Sequence, residues 1–333
     1  MIKFKKIYIL FICLIIVGGF FLYAYAEPIR VVFIPKNTGN PYFTAVVNGF
    51  KKASEELNIE FTTVAPSDAG ATSQIPFIKS QIQRRVNVIA ISPNSPDALN
   101  QVFQEAMDKG IFVLVVNSDI PGSEEYRNVA VLPMDFEITG KSQVELMGSL
   151  IDYKGKIAIL TATTDAPDQN YWIQGMKKAL KDPKYKDMQL VEIAYGNDDP
   201  QKSLTEAEAL LIKYPNLRGI IAPTTVAVAA AGQAVENAGR APQVQVTGLG
   251  TPNQMRRFIK NGTVTAFSLW SPYDEGYLSG YLAYGLVTGD IKAKEGEKFV
   301  VPKLGEREIG KNRVVITGPP QIFNKDNIDK FNF

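Results

Sequence analysis

Apolar and polar positions along this chain come in alternating blocks. Short runs of β-branched and other apolar residues are each followed by a polar loop, then by a segment whose apolar side chains recur at helical spacing. Ile29 to Ile34 is the first run, dense enough for a strand buried on both faces. Asn40 and Pro41 then supply a cap and a first-turn residue, and Phe43, Val46, Val47 and Phe50 mark the apolar stripe of a helix. The same unit repeats. Strands are predicted over 59–64, 86–91, 111–116 and 129–132, with helices over 71–85 and from Pro96, capped by Ser95, to Gly110. The pattern then restarts with a helix over 136–151 and strands over 156–160, 190–195, 219–222, 244–249 and 264–269, with helices between them.

Strands alternating with helices predict βαβ units and parallel sheets. Two successive sets predict an α/β protein of two similar Rossmann-like lobes. A last helix over 273–287 and a weakly patterned tail over 289–333 predict that the chain returns between the lobes and forms a hinge, the joint on which two lobes close around a ligand. The expected division is 27–133 plus 271–290 for the N-terminal lobe and 134–270 plus 291–333 for the C-terminal lobe.

The first 26 residues change the picture of location. Lys3, Lys5 and Lys6 precede an apolar run from Ile7 to Tyr23 and the small-x-small sequence Ala24-Tyr25-Ala26, the form of a secretory signal peptide. An extracytoplasmic protein is expected, in the periplasm or at the cell surface. The run is also nearly long enough to span a bilayer, so an uncleaved anchor stays open. The whole chain carries 36 basic and 34 acidic side chains; without the leader 33 and 34 remain, about −1, with no basic footprint for nucleic acid or anionic lipid. Cleavage would also remove Cys13, the only cysteine, and with it disulfide and thiol chemistry.

Enzyme constellations are thin. The chain has no histidine, hence no Ser-His-Asp triad and no histidine metal site, and the calcium-loop pattern is absent. Asp198-Asp199 reads as a helix-entry cap and Glu55-Glu56 as a solvated face. No cofactor is expected: neither G-x-G-x-x-G nor a Walker lysine follows the first strand.

Binding chemistry gathers at one kind of place. Lys36, Asn117, Asp119, Asp168, Gln169, Asn170, Pro223, Thr225 and Trp270 all fall just past the carboxyl end of a predicted strand, where open α/β sheets hold ligands, and Tyr42 and Phe43 open the first helix. Each has a plainer reading: a loop lysine, turn or cap residues at 117, 119 and 168, a strand terminator at Pro223, a core Trp270. Polar and planar groups at the same end of both lobes favour a site. One lysine with aromatic faces suits a small polyhydroxy or keto compound.

The ordered set FIPK with a following aromatic pair, NSD after the fourth strand, DQN before a tryptophan, IIAPTT, TGLGTPNQMR and LWSP resembles the periplasmic solute-binding proteins of sugar ABC importers, type I and ribose-binding-like. Within them the nearest resemblance is to autoinducer-2 receptors of the LsrB type, with rhamnose- and pentose-binding proteins further off. The resemblance covers nearly the whole chain after the leader. It implies three interlobe crossings, a monomeric, non-enzymatic receptor for cyclic hydrated autoinducer-2, and delivery to ABC permease subunits in the membrane. The family's lysine falls on Lys36, its Asp-Gln pair on Asp168 and Gln169, its carbonyl-donating proline on Pro223, and its aromatic walls on Tyr42, Phe43 and Trp270. Two positions depart: Asn117 stands where the family usually has aspartate, and Thr225 where it has alanine. The rival readings are a receptor for rhamnose or another monosaccharide, an exported sugar-acting enzyme, a chemoreceptor partner that signals without transport, and the sensing domain of a repressor. The export signal and the lack of DNA-binding helices oppose the last.

Overall fold

The structure, a computed structural model, describes residues 27–134 and 136–333. The expected leader over 1–26, with Cys13, lies outside the described residues. Two sheets carry the architecture. The first has six parallel strands: β1 (Arg30–Ile34), β2 (Glu60–Thr63), β3 (Val88–Ile91), β4 (Phe112–Val116), β5 (Val129–Leu132) and, from the tail, β13 (Val314–Ile316), in the order β13-β5-β4-β3-β1-β2. The second has the parallel order β7-β6-β8-β9, from β6 (Lys154–Thr161), β7 (Asp187–Tyr195), β8 (Leu217–Ala222) and β9 (Gln245–Gly248). A bridge between Leu249 and Ser268 extends it to β10 (Ala266–Leu269), which pairs antiparallel with β14 (Gln321–Asn324). Between them in sequence, β11 (Lys298–Val301) and β12 (Gly305–Glu308) form a separate hairpin.

The chain therefore passes between lobes three times, after β5, at Trp270-Ser271 and between β13 and β14. This is an α/β protein of two parallel-sheet lobes on a three-crossing hinge. The tail corrects one expectation. Residues 291–316 do not belong with the C-terminal lobe: β13 extends the N-terminal sheet by pairing with β5, and only the segment from β14 onward reaches the other lobe.

Nine α-helices occur among the described residues. The first, α1 (Pro41–Leu57), begins where Asn40 Oδ1 accepts the Tyr42 N–H at 3.0 Å and ends at Asn58 in the left-handed region, φ 53°. Its buried stripe, Tyr42, Phe43, Val46, Phe50 and Ala53, covers the same sheet face as Val31 and Phe33, while Val32 and Ile34 enter the core on the opposite face. Phe50 stacks between Phe33 and Phe61, at ring distances of 5.2 and 5.1 Å. Truncating so enclosed a ring to alanine costs about 3 to 5 kcal/mol.

The other helices are α2 (Ile75–Gln83), α3 (Asn100–Asp108), α4 (Phe136–Leu150), α5 (Pro167–Ala179), α6 (Pro200–Lys213), α7 (Thr225–Asn237), α8 (Pro252–Lys260) and α9 (Pro272–Thr288). Both α2 and α3 are shorter than their patterns predicted. At α3 the Ser95 hydroxyl accepts the Ala98 N–H at 3.1 Å, closing a local turn that delays the helix to Asn100. Helix α9 comes from beyond the second lobe yet packs on α1, with contact so close that a Cβ at Gly276 would stand 1.9 Å from the Val46 carbonyl oxygen. The second lobe repeats the device with α4 and α5, where a Cβ at Gly140 would stand 2.3 Å from the Trp172 carbonyl oxygen. Each close pair seats the first turn of a helix at the cleft.

Candidate functional site

The loop after β1 is fixed from behind. Gln74 Nε2 donates to the Pro35 carbonyl at 3.0 Å and the Ser92 carbonyl at 2.8 Å, and Asn94 Nδ2 donates to the Lys36 carbonyl at 2.9 Å. Pinned this way, Lys36 turns its side chain into the cleft and meets the other lobe: its Nζ lies 2.5 Å from Asp168 Oδ1, with the two side chains 3% and 2% exposed. Asp168 sits in the first turn of α5, where unpaired N–H groups and the helix dipole favour an anion. Its second oxygen accepts from Asn117 Nδ2 at 3.3 Å. Asn117 has φ 67°, a left-handed conformation that asparagine tolerates well. An aspartate there would set a second carboxylate against Asp168, whereas the amide donates to it.

Gln169 follows with its carbonyl oxygen already engaged, accepting from Thr161 Oγ1 at 2.6 Å and the Ala162 N–H at 2.7 Å. Its NH₂ is the end left for a ligand. Asp198 is buried on the same side; Thr224 Oγ1 donates to its carboxyl and Asn37 Nδ2 reaches its main-chain carbonyl from the other lobe at 3.3 Å. Burial pushes the Asp198 carboxyl above its usual range, against the pull of the Thr224 bond and the Lys36 charge. A further bond crosses the cleft from Thr225 Oγ1 to Asn40 Oδ1 at 2.9 Å.

Aromatic rings close the remaining wall. Both tryptophans of the chain line the cavity, Trp172 and Trp270, with centroids 5.7 Å apart, and Tyr42 stands edge-on to Trp270 at 6.3 Å. Behind them Trp270 Nε1 donates to the Tyr42 hydroxyl at 2.6 Å, and that hydroxyl donates to Glu275 Oε2 at 2.5 Å. Glu275, in the first turn of α9, is fully buried; burial pushes its carboxyl up to about 8, partly opposed by the Tyr42 bond and the Asn117 backbone. The Tyr42 phenol is likewise raised well above its usual value, chiefly by burial.

The lobes leave little room between these residues: about 30 Å³ is open to the centre of a water-sized sphere. That is well below the roughly 300 to 1,000 Å³ of ordinary ligand pockets, so a ligand must part the two faces to enter. Lys36, Tyr42, Phe43, Asn117, Asp168, Gln169, Pro223, Thr225 and Trp270 all line this space, so the expected residues from both lobes converge. Asp119 does not. Its oxygens are taken by Arg127, at 2.5 Å to Nε and 2.7 Å to Nη2, and by the Ile120 N–H at 2.8 Å, a buried internal clamp turned away from the cavity. Asn40, Trp172, Asp198, Thr224, Leu249 and Leu269 also line the space. The sequence offered a weak sign of Asp198: of the adjacent pair it is Asp199 whose carboxylate caps α6, by accepting the Lys202 N–H, so the cap expected of both leaves Asp198 free to face the cleft.

Chemically, the lining offers one cation against two carboxylates, with amides, hydroxyls and flat apolar faces. Such a surface repels phosphates and carboxylates and suits an uncharged ring rich in hydroxyl donors. Among the described residues no group of three or more side chains is placed to hold a metal ion, and no helix is long and apolar enough to cross a membrane.

Comparison with known proteins agrees with this geometry. The family described as periplasmic binding protein domain matches residues 31–291. An ABC transporter solute-binding protein from Clostridium phytofermentas, solved with bound L-rhamnose, is 31% identical with a TM-score of 0.87, covering 92% of this chain and 98% of that one. LsrB from Clostridium saccharobutylicum, in complex with AI-2, is 26% identical with a TM-score of 0.85, covering 91% and 100%. The D-ribose/D-allose-binding protein of Pseudomonas aeruginosa is 26% identical over 251 residues, 72% of this chain and 76% of that protein. The chain belongs to the periplasmic binding protein family.

Proposed function

We propose that this periplasmic binding protein is the extracytoplasmic receptor of an ABC importer, and that its ligand is autoinducer-2 in its cyclic hydrated form. The observation that carries the reading is the Lys36–Asp168 contact across the cleft, in a small cavity whose acceptors outnumber its cations. A small neutral ring can insert between the two charges and take a charge-assisted bond from each, and such bonds are roughly twice as strong as neutral ones. Lys36 then donates to a ligand oxygen on one side while Asp168 accepts hydroxyls on the other. Gln169 and Asn117 read further hydroxyls, Pro223 offers its carbonyl, and Tyr42, Phe43 and Trp270 cover the C–H face. Closure of the lobes excludes water from these bonds and presents the closed outer surface to permease subunits in the membrane. The role is binding and delivery, with no chemical step, and the receptor acts as a monomer.

A second reading is a receptor for L-rhamnose, favoured by the relative solved with that sugar at the higher identity. A pyranose with a methyl substituent needs more room than the smaller ring. Calorimetry on the chain from Glu27, titrated in parallel with autoinducer-2, L-rhamnose and D-ribose, tests the choice. Saturable one-to-one binding of autoinducer-2 alone supports the first reading. Binding of L-rhamnose alone overturns it in favour of the second, and binding of none of the three removes both.

A further inference from the structure

Glu275 does not line the cavity, yet it is bonded to what does. Its Oε2 accepts from the Tyr42 hydroxyl, which in turn accepts from Trp270 Nε1, so one carboxyl holds rings supplied by both lobes. It also lies against the Asn117 backbone, and it stands immediately after the Trp270-Ser271 crossing, at the start of the helix that packs on α1. Its Oε1 is buried and has no hydrogen-bond partner among the described residues. An ionised carboxyl would therefore put half its charge on an oxygen with no donor, and would face the acceptor charge of Asp168 across the site. A neutral carboxyl removes the charge and the repulsion, leaving one buried hydroxyl without an acceptor, the smaller of the two penalties.

We propose that Glu275 is a positioning residue for ligand binding: its carboxyl carries a proton in the folded protein and, in that neutral state, holds Tyr42 and Trp270 in the arrangement that covers the ligand. The inference rests on the cavity being the ligand site. The titratable groups that bear on Glu275 are Tyr42 from α1 and Asp168 from α5, the latter paired with Lys36; Tyr42 is held too far up to ionise near neutrality, so it does not supply a transition of its own there. Asp198 is the other buried acid raised by its surroundings, and the test must separate the two.

The consequence is affinity that falls with rising pH. With the carboxyl near 8 and only its neutral form holding the rings, binding weakens by about tenfold between pH 7 and pH 9. Calorimetry at both pH values with autoinducer-2 and with L-rhamnose measures this. Glu275→Gln, neutral at every pH, is expected to reduce the ratio between the two pH values to within about twofold. Glu275→Ala, which removes the clamp, is expected to weaken binding at both. A flat wild-type profile overturns the proposal, as does a Gln variant that keeps the wild-type slope, which would assign the proton to Asp198. A ligand-free readout keeps the outcome separate from the identity of the ligand. Trp172 and Trp270 both line the cavity, so emission of the unliganded protein should change with a midpoint near pH 8 and lose that change in Glu275→Gln. If neither compound binds, the functional reading fails while this titration still decides for or against Glu275.

Discussion

The two faces of the cleft are built alike and charged differently. In each lobe the first turn of a helix, α1 or α5, faces the cavity, and in each that helix is held by a partner across glycine contacts too close for a side chain. The N-terminal face then supplies a cation and neutral groups, Lys36, Asn40, Tyr42 and Asn117, whereas the C-terminal face supplies the acids Asp168 and Asp198. Among the described residues, Lys36 meets no anion on its own face and Asp168 no cation on its own. Closure is what pairs them, and a ligand that offers hydroxyls to the acids and an oxygen to the lysine replaces that pairing at little cost.

The sharpest break of this comparison is at the charge pair. Asp168→Ala is expected to abolish measurable binding, a loss of more than about 100-fold, with the ligand-free thermal midpoint nearly unchanged because the open cleft hydrates Lys36. A large fall in that midpoint would instead make Asp168 a structural cap of α5. Lys36→Met should cost less, about 10- to 100-fold by calorimetry, since Asp168 keeps the Asn117 amide and the helix terminus. Next come the glycine seats. Gly276→Ala forces α9 from α1 and should lower unfolding stability by about 1 to 3 kcal/mol in a denaturant titration. Gly140→Ala displaces the start of α5, so its expected signature is weaker binding for the same loss of stability.

The pH response of stability is smaller and has a definite sign. The Glu275 carboxyl is raised from 4.5 to about 8 in the folded protein, so the folded state holds a proton that the unfolded state has released. Stability from this group is complete below pH 4.5 and declines as pH rises toward 8, and the raised Asp198 acts in the same direction. Thermal midpoints measured across that window should slope downward and flatten in Glu275→Gln. The smallest effect is expected at the interlobe bond: Thr225→Ala removes one neutral hydrogen bond to Asn40 and should weaken binding by about two- to tenfold.

Much of this arrangement was legible in the residues. The run from Ile29 to Ile34, the Asn40-Pro41 cap and the stripe through Phe50 fix β1 and α1 because each rests on local chemistry, and Lys36 follows from its place between them. The tail was not legible. Strands β11 to β14 span three or four residues each, too few to display a period, and β13 and β14 gain their place from partners 184 and 52 to 58 residues away. Asp119 was misplaced because its partner Arg127 lies in an irregular segment with no pattern to reveal it. Glu275 reads in sequence as an acid favouring a helix N-terminus; only the fold places Tyr42 above it. Local signals identified the residues that begin elements, and long-range pairing decided the rest.

The route of the chain also sets an order of assembly. Helix α9 and strand β13, which complete the N-terminal lobe, come after the whole of β6 to β10 in sequence. The lobe made first is therefore finished last: until residue 316 has been synthesised, α1 lacks the helix that seats it and β5 lacks its neighbour. Folding cannot proceed as two independent halves in the order of synthesis, and the final segment is the keystone of both.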